Sequence, residues 1–558
     1  MTPDPQFGPW RFRGDRPLNG RFQPPLARTL GGLLDEMAER HGDVEAIVLG
    51  DVRSSYGELR QHVDRVACAL LGRGLNKGDH IAILMGNRPE WIVCWLAINR
   101  IGAVAVGIST WSSAMELSYI LRHSDSRMLI YRNHVGSRDL GAVVDACLDQ
   151  AGWSVSNRLT PRLPCLRHVV CLSREAGFES LREFERDAEQ VSAAMLGDIG
   201  REIRPADVAL LLYTSGSTAT PKGVQLVHRI LIENGFDIGE AERIADADRY
   251  WLSLPLFWSA GSANCAMAIM THGATMVLQE YLEAAEAVRI LRAERCSHYF
   301  AFPNVTQAIH AALGAEPRLP AAKVAVSTGQ PEILAMLRAM GFSLLLHPYG
   351  TTEDYGFATI NGDDETTESL AWSQGRPLPG MELIIRDPAT GSEVRRGNSG
   401  EICLRGNVTC GYYKDEDKNR AVFDDDGYFH TGDIGILHPD GRLQFLGRST
   451  EMIKTSGFNV SPAEIEVTLL ALPGVVEAYV VGVPDNERGQ AVIACIRDAG
   501  SNPSLEALRR HCASSLSSYK VPRDFLFFDS FPLTSTGKVS KAALAEKARG
   551  IGSPVIAG

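Results

Sequence analysis

The stretch Leu212-Tyr213-Thr214-Ser215-Gly216-Ser217-Thr218-Ala219-Thr220-Pro221-Lys222-Gly223-Val224 decides how this chain is read. It follows an apolar run of strand length, VALLLY at 208–213. Small residues let backbone N–H groups approach an anion, hydroxyls add donors, and Lys222 brings positive charge. A polyphosphate asks for that combination. The loop is not a Walker A motif. Pro221 stands where that motif has its second glycine, and Gly223 replaces the hydroxyl residue that would hold magnesium.

Outward from this loop the chain alternates short apolar runs with helical patterns. ATMVL (274–278), SHYFA (297–301), KVAVS (323–327) and SLLLH (343–347) read as strands, with helices at 284–293 and 332–340 between them. An earlier block at 78–108 has the same texture. Alternation of this kind predicts βα units and parallel sheets, hence an α/β class. Beyond about residue 382 short strands and glycine turns take over, and 433–447 (DIGILHPDGRLQFLG) reads as a hairpin turning at Pro439-Asp440-Gly441. From Glu451 a compact αβ pattern resumes: helix 462–472, strands 475–483 and 491–497, helix 504–516. Two domains are expected, 1–448 and 449–558, since one core seldom grows past about 250–300 residues.

Composition narrows the class. In 558 residues, 56 Lys+Arg stand against 67 Asp+Glu, a net charge of −11, which argues against a nucleic-acid-coating protein. The 11 cysteines form no CxxC pair, so neither a zinc ribbon nor a disulfide scaffold is expected, and scattered thiols suit a reducing, cytoplasmic setting. No apolar run approaches 18 residues, so no membrane span is expected, and the N-terminus does not read as a secretory signal.

Two more segments begin where predicted strands end, the edge at which open α/β sheets bind ligands. One is HPYGTTEDYG at 347–356, with an aromatic face, a tight turn, hydroxyls and a carboxylate. The other is Ser327-Thr328-Gly329-Gln330-Pro331. Further along lie YFHTGDIG (428–435), whose Asp433 could accept hydrogen bonds from a ribose diol, GRSTEMIKTSGFNVSPAEIE (447–466), and PLTSTGKVSK (532–541) with Lys538. Taken alone, Asp433 reads as a turn residue and Lys538 as a solvated charge.

In this order the motifs resemble the adenylate-forming superfamily of acyl-CoA synthetases, peptide-synthetase adenylation domains and firefly-type luciferases, from about Leu34 to Ser540. The resemblance implies a large N-terminal domain of layered βα subdomains plus a small β-barrel, and a small mobile α+β C-terminal lid. It implies two half-reactions: a carboxylate attacks the α-phosphate of ATP to give acyl-AMP and pyrophosphate, then a thiol, usually of coenzyme A, takes the acyl group. By position, Thr214, Ser215, Gly216, Ser217, Thr218 and Lys222 should cradle the β- and γ-phosphates. Gly329, Gln330 and Pro331 should line the adenine, and Tyr349, from the Tyr349-Gly350-Thr351-Thr352-Glu353 nucleotide-binding turn, should stack on it. Thr352 should touch the α-phosphate and Glu353 should hold Mg²⁺. Asp433 and Arg448 should bind ribose. Lys538 should bridge carboxylate and α-phosphate. Thr450, Lys454 and Gly457 belong to the hinge and the thiol-access loop, where a residue without Cβ leaves room for the pantetheine arm.

Departures from the family pattern carry information. Ala219 replaces a phosphate-loop glycine, Thr328 a glycine beside the acyl site, and Thr450 the usual Asp or Lys of the hinge. Trp258 stands where His or another aromatic is common, and offers either a large apolar wall or core packing. The segment 257–262 (FWSAGS) has no acid to pair a substrate ammonium, which disfavours amino acids. The expected pocket neighbours Trp258, Ser259, Phe302, Thr328 and Tyr355 are apolar or neutral. The expected reading is a ligase acting on a hydrophobic acid (fatty, alicyclic or aromatic) and on free coenzyme A, since only about 20 residues follow Lys538. A ligase loading a separate carrier protein or an amine is the alternative, a non-catalytic nucleotide sensor the rival from another class, and a homodimer is possible.

Overall fold

The computed structural model describes residues 23–154, 156–173, 181–214, 221–362, 365–449, 451–455, 458–485, 488–498, 500, 503–516, 520–533 and 539–551. Contacts divide the chain into two units, Met1–Glu382 with Leu404–Phe429, and Leu383–Cys403 with His430–Gly558.

The first unit holds two mainly parallel sheets. One runs in the order Leu344–Leu346, Val324–Val326, His298–Phe300, Arg249–Leu252, Thr275–Leu278, Glu45–Leu49, Val52–Ser55, parallel except for its last, antiparallel pair. The other runs Lys222–Val227, Val208–Thr214, Val104–Gly107, His80–Leu84, Ser126–Tyr131, His168–Cys171. Its inner strands are mostly apolar and buried along most of their length, as strands of a parallel sheet packed on both faces are. Helix Pro89–Arg100 is buried on nearly every side, with Trp91 and Trp95 in contact at 5.5 Å between ring centroids, and packs into a core shared by residues of both sheets. Pro89 opens it at a position where a missing N–H costs nothing.

The strands expected at 274–278, 297–301, 323–327 and 343–347 all occur, in one sheet, and the helix expected at 284–293 is Ala284–Ala293. The strand before the expected phosphate loop belongs to the other sheet, so the three segments expected to bind ligand do not share one sheet edge. Its loop leads not into a helix but back along an antiparallel edge strand, Lys222–Val227, which the sequence reading lacked.

In the second unit a sheet of Phe458–Val460, Ile453–Thr455, Gly489–Asp498, Val475–Asp485 and Asp524–Phe527 is covered on both faces. Alternation along Val475–Asp485 does this. Ala478 and Val480 meet Ile465, Leu469 and Leu508 of two helices, while Val481 and Val483 meet Leu544 and Ala548 of a third. The expected small barrel is represented, among the described residues, by a four-stranded sheet in the order Met381–Arg386, Ser399–Gly406, Phe429–Leu437, Leu443–Arg448. The cut expected at 448/449 falls inside the second unit, so the hairpin carrying Asp433 and Arg448 groups with the C-terminal residues.

Candidate active site

Thr214 closes the strand Val208–Thr214, and Lys222 opens the next directly opposite it. The pairing holds the two ends of the loop together whatever lies between them. Ser215, Gly216, Ser217, Thr218 and Ala219 lie outside the described residues, as do Thr450, Gly457 and Lys538. The Lys222 ammonium sits 5.5 Å from the centre of the Tyr412 ring, a cation–π distance. The Tyr412 hydroxyl donates to Glu353 Oε1 at 2.8 Å. Burial and then the Lys418 ammonium push the Lys222 pKa below the ordinary lysine value, with Glu353 and Asp415 opposing. A bound anion would relieve that imbalance.

Glu353 lies in the single turn Thr352–Asp354. The turn is fixed from below: fully buried Asp354 accepts from the Thr351 backbone N–H at 2.8 Å and from its hydroxyl at 3.0 Å. Gly350 is forced by crowding, since a Cβ there would lie 2.1 Å from the Gly356 carbonyl oxygen. Tyr349 is buried and exchanges backbone hydrogen bonds of 3.1 Å with Thr359. Before it, His347 Nδ1 meets the Leu370 carbonyl at 2.9 Å, and burial pushes the ring's pKa down to about 4, so it is neutral. The hydroxyls of Thr352 and Ser259 meet at 3.1 Å, joining the turn to the segment expected at the acyl pocket.

Trp258 is half-buried, its ring 5.3 Å from that of Trp111 and 6.4 Å from that of Phe302, centroid to centroid. Gln330 and Pro331 start the helix Pro331–Ala339, just after Gly329 at φ +47° and Thr328, whose Oγ1 is buried without a partner. Tyr355 does not line a pocket: it is fully buried in the main core, and its hydroxyl oxygen accepts from the Val227 N–H at 2.8 Å. Its one polar atom is thus already engaged within the fold.

In the second unit Asp433 and Arg448 face each other on adjacent strands, Nε to Oδ1 3.3 Å. Asp433 is buried and its N–H donates to Thr431 Oγ1 at 3.0 Å, an arrangement that presents a fixed carboxylate and an exposed cation. Lys454 pairs through its backbone with Asn459.

Sequence reasoning missed Tyr412 and Trp111. The first sits in Gly411-Tyr412-Tyr413, where a glycine followed by two aromatics was the available signal; the second is an exposed tryptophan among hydroxyl residues, Ser109 to Ser113.

Residues 34–413 match the family model described as AMP-binding enzyme, and 464–538 match the AMP-binding enzyme C-terminal domain. The chain belongs to the AMP-binding enzyme family. It is similar to YngI of Bacillus subtilis (strain 168), named as an acyl-CoA synthetase, at 31% identity over 532 residues, 93% of this chain and 97% of that one. It is also similar to the mitochondrial medium-chain acyl-CoA ligase ACSF2 of Homo sapiens, at 28% over 540 residues, 93% and 88% of the two chains. A crystal structure of the anthranilate CoA ligase AuaEII in complex with anthranoyl-AMP superimposes with a TM-score of 0.81 and 25% identity, over 94% of this chain and 98% of that one. As an AMP-binding enzyme the chain has the adenylate-forming fold expected of it. Among the described residues no helix is long and apolar enough to cross a membrane.

Proposed function

We propose that this chain is an AMP-forming acid–CoA ligase. A substrate carboxylate oxygen attacks the α-phosphorus of ATP, the bond to the β-phosphate oxygen breaks, and pyrophosphate leaves. The coenzyme A sulfur then bonds to the acyl carbon, AMP departs, and the thiol proton passes to solvent. The acid is hydrophobic, in keeping with Trp258, Phe302 and Trp111 gathered beside Ser259. The observation that carries the reading is the chain of contacts Lys222–Tyr412–Glu353 and Thr352–Ser259. It sets an anion-seeking lysine, a carboxylate and the expected acyl segment side by side in one unit.

In this reading Lys222 and Thr214, with Ser215 to Thr218, bind the departing phosphates. Tyr412 orients Glu353, and Thr352 lies at the α-phosphate. Gly329 to Pro331 and Tyr349 receive the adenine, Asp433 and Arg448 the ribose, and Lys538 joins the two reactants. Residues 449–558 act as the lid, with Thr450, Lys454 and Gly457 at its hinge and thiol entry. Glu353 offers a hard carboxylate oxygen beside a phosphate site, which fits Mg²⁺ held by one carboxylate and substrate oxygens. The ion would neutralise charge on the transferring phosphates.

The test is pyrophosphate release from ATP with fatty, alicyclic, aryl and amino acids, each with and without coenzyme A. Release that needs one acid class and is completed as thioester by coenzyme A is expected. Acid-dependent release without any thioester product would replace this reading with a ligase for a carrier protein or an amine.

A further inference from the structure

Asn264 is 1% exposed, and neither its Oδ1 nor its Nδ2 has a hydrogen-bond partner. A buried polar group left unpaired forfeits its hydrogen bonds to water, so a primary amide with both ends idle is an expensive residue to keep in a core. It lies on a wide, π-helical turn, Ala260–Ala266, a distortion that is rare and gathers at functional sites. The amide is aimed at the nucleotide-binding turn. A Cβ on Gly356 would stand 2.1 Å from Asn264 Oδ1 and 2.7 Å from Nδ2, so the amide fills the space that glycine leaves. The Asn264 N–H donates to the Ser259 carbonyl at 2.9 Å, and it is the Ser259 hydroxyl that meets Thr352. Asn264 is thus one turn from the contact between the acyl segment and the nucleotide-binding turn. Two further unpaired hydroxyls, Ser327 Oγ and Thr328 Oγ1, follow the strand Val324–Val326.

We propose that Asn264 is a specificity-determining residue of the acyl pocket, and that the acid is a hydrophobic one carrying a single hydrogen-bonding substituent, a hydroxyl, oxo or amino group, which pairs with the idle amide. This rests on the ligase reading and deepens it. A primary amide can donate through Nδ2 and accept through Oδ1, so it serves any of these groups without a charge. A site built around such a pair rejects the unsubstituted analogue, because binding that analogue leaves the amide as unpaired as before.

The experiment compares matched acids on the full chain: benzoate with its three hydroxy and three amino isomers, and octanoate with its hydroxy and oxo derivatives. Each is read as kcat/KM for pyrophosphate release. At least one substituted acid should exceed its parent tenfold or more. In Asn264→Leu, which keeps the shape and removes the polarity, that preference should shrink to within about threefold with the parent acid still used. Asn264→Ala, which cannot overpack, should show the same loss. Substituted acids used no better than their parents, or a preference that survives both variants, would overturn the assignment. Thermal melting without substrate decides independently of turnover. Asn264→Leu should melt at or above the wild type, and a fall of several degrees would show that the amide is satisfied within the fold and would equally overturn it. Absence of pyrophosphate release with every acid would strike the ligase reading, while the melting comparison still judges Asn264.

Discussion

Tyr412 shows what one side chain contributes to this site. Its ring receives the Lys222 ammonium and its hydroxyl holds Glu353, so it couples a cation and a carboxylate that would otherwise be free to pair with each other. Hydrogen bonds to charged groups contribute roughly 1.5–3 kcal/mol. Tyr412→Phe keeps the ring and drops the bond. It should lower kcat/KM for pyrophosphate release by about tenfold to a hundredfold and raise the magnesium concentration needed for half-maximal rate, with a small fall in melting temperature. Unchanged kinetics would detach Tyr412 from the chemistry. Gly350 contributes by what it lacks. Because a Cβ there would collide with backbone atoms of Gly356, Gly350→Ala should cost about 1–3 kcal/mol and misplace Glu353. Calorimetric melting and adenylation rate should fall together, and a variant that melts and turns over like the wild type would show that the turn is not so tightly closed.

At the scale of elements, the helix His228–Ala241 shows how burial sets chemistry apart from function. Glu242 caps it, fully buried, and burial pushes its carboxyl pKa up to about 8. Between about pH 4.5 and 8 the folded chain therefore holds a proton that the unfolded chain has released, so stability falls as pH rises through that window, by at most about 1.4 kcal/mol per unit. Glu242→Gln, a mimic of the protonated form, should match the wild type at pH 5 and melt higher at pH 8 to 9. Equal melting curves across the range would refute this. His228 at the helix start works in the opposite sense. It accepts the Leu30 N–H at Nδ1, and burial pushes its pKa down to about 4, as it does for His347. Both rings hold back protons that the unfolded chain accepts, so stability is lost as pH falls from 6.5 toward 4. Stability should peak between these limits. The elements themselves were largely legible, because runs such as KVAVS and helices such as Ala284–Ala293 declare their period locally. The strand Lys222–Val227 was not. Its start carries the loop's charged and small residues, and only pairing with Val208–Thr214 makes it a strand.

For the whole molecule, the proposed division of labour places Lys538 in the first half-reaction alone. Lys538→Ala should slow acid-dependent pyrophosphate release by about a hundredfold or more while thioester formation from supplied acyl-AMP falls far less. Comparable losses in both steps would end the assignment of residues 449–558 as a two-position lid. Local order along the chain was enough to determine the α/β class, and to single out the strand ending at Thr214, the turn at 347–356 and the motifs around Asp433 and Lys538 as candidates. In each of these the pattern is carried by neighbours in sequence. Tertiary structure alone decided which of these groups meet. Glu353 reaches Tyr412 across 59 residues, Ser259 reaches Thr352 across 93, and Tyr355, polar and adjacent to the site in sequence, was drawn into the core by the Val227 N–H. Asn264 reads as an ordinary helix residue until the fold packs it against Gly356 with its amide unpaired. Such pairings depend on how sheets and helices stack, and no window of sequence contains that information.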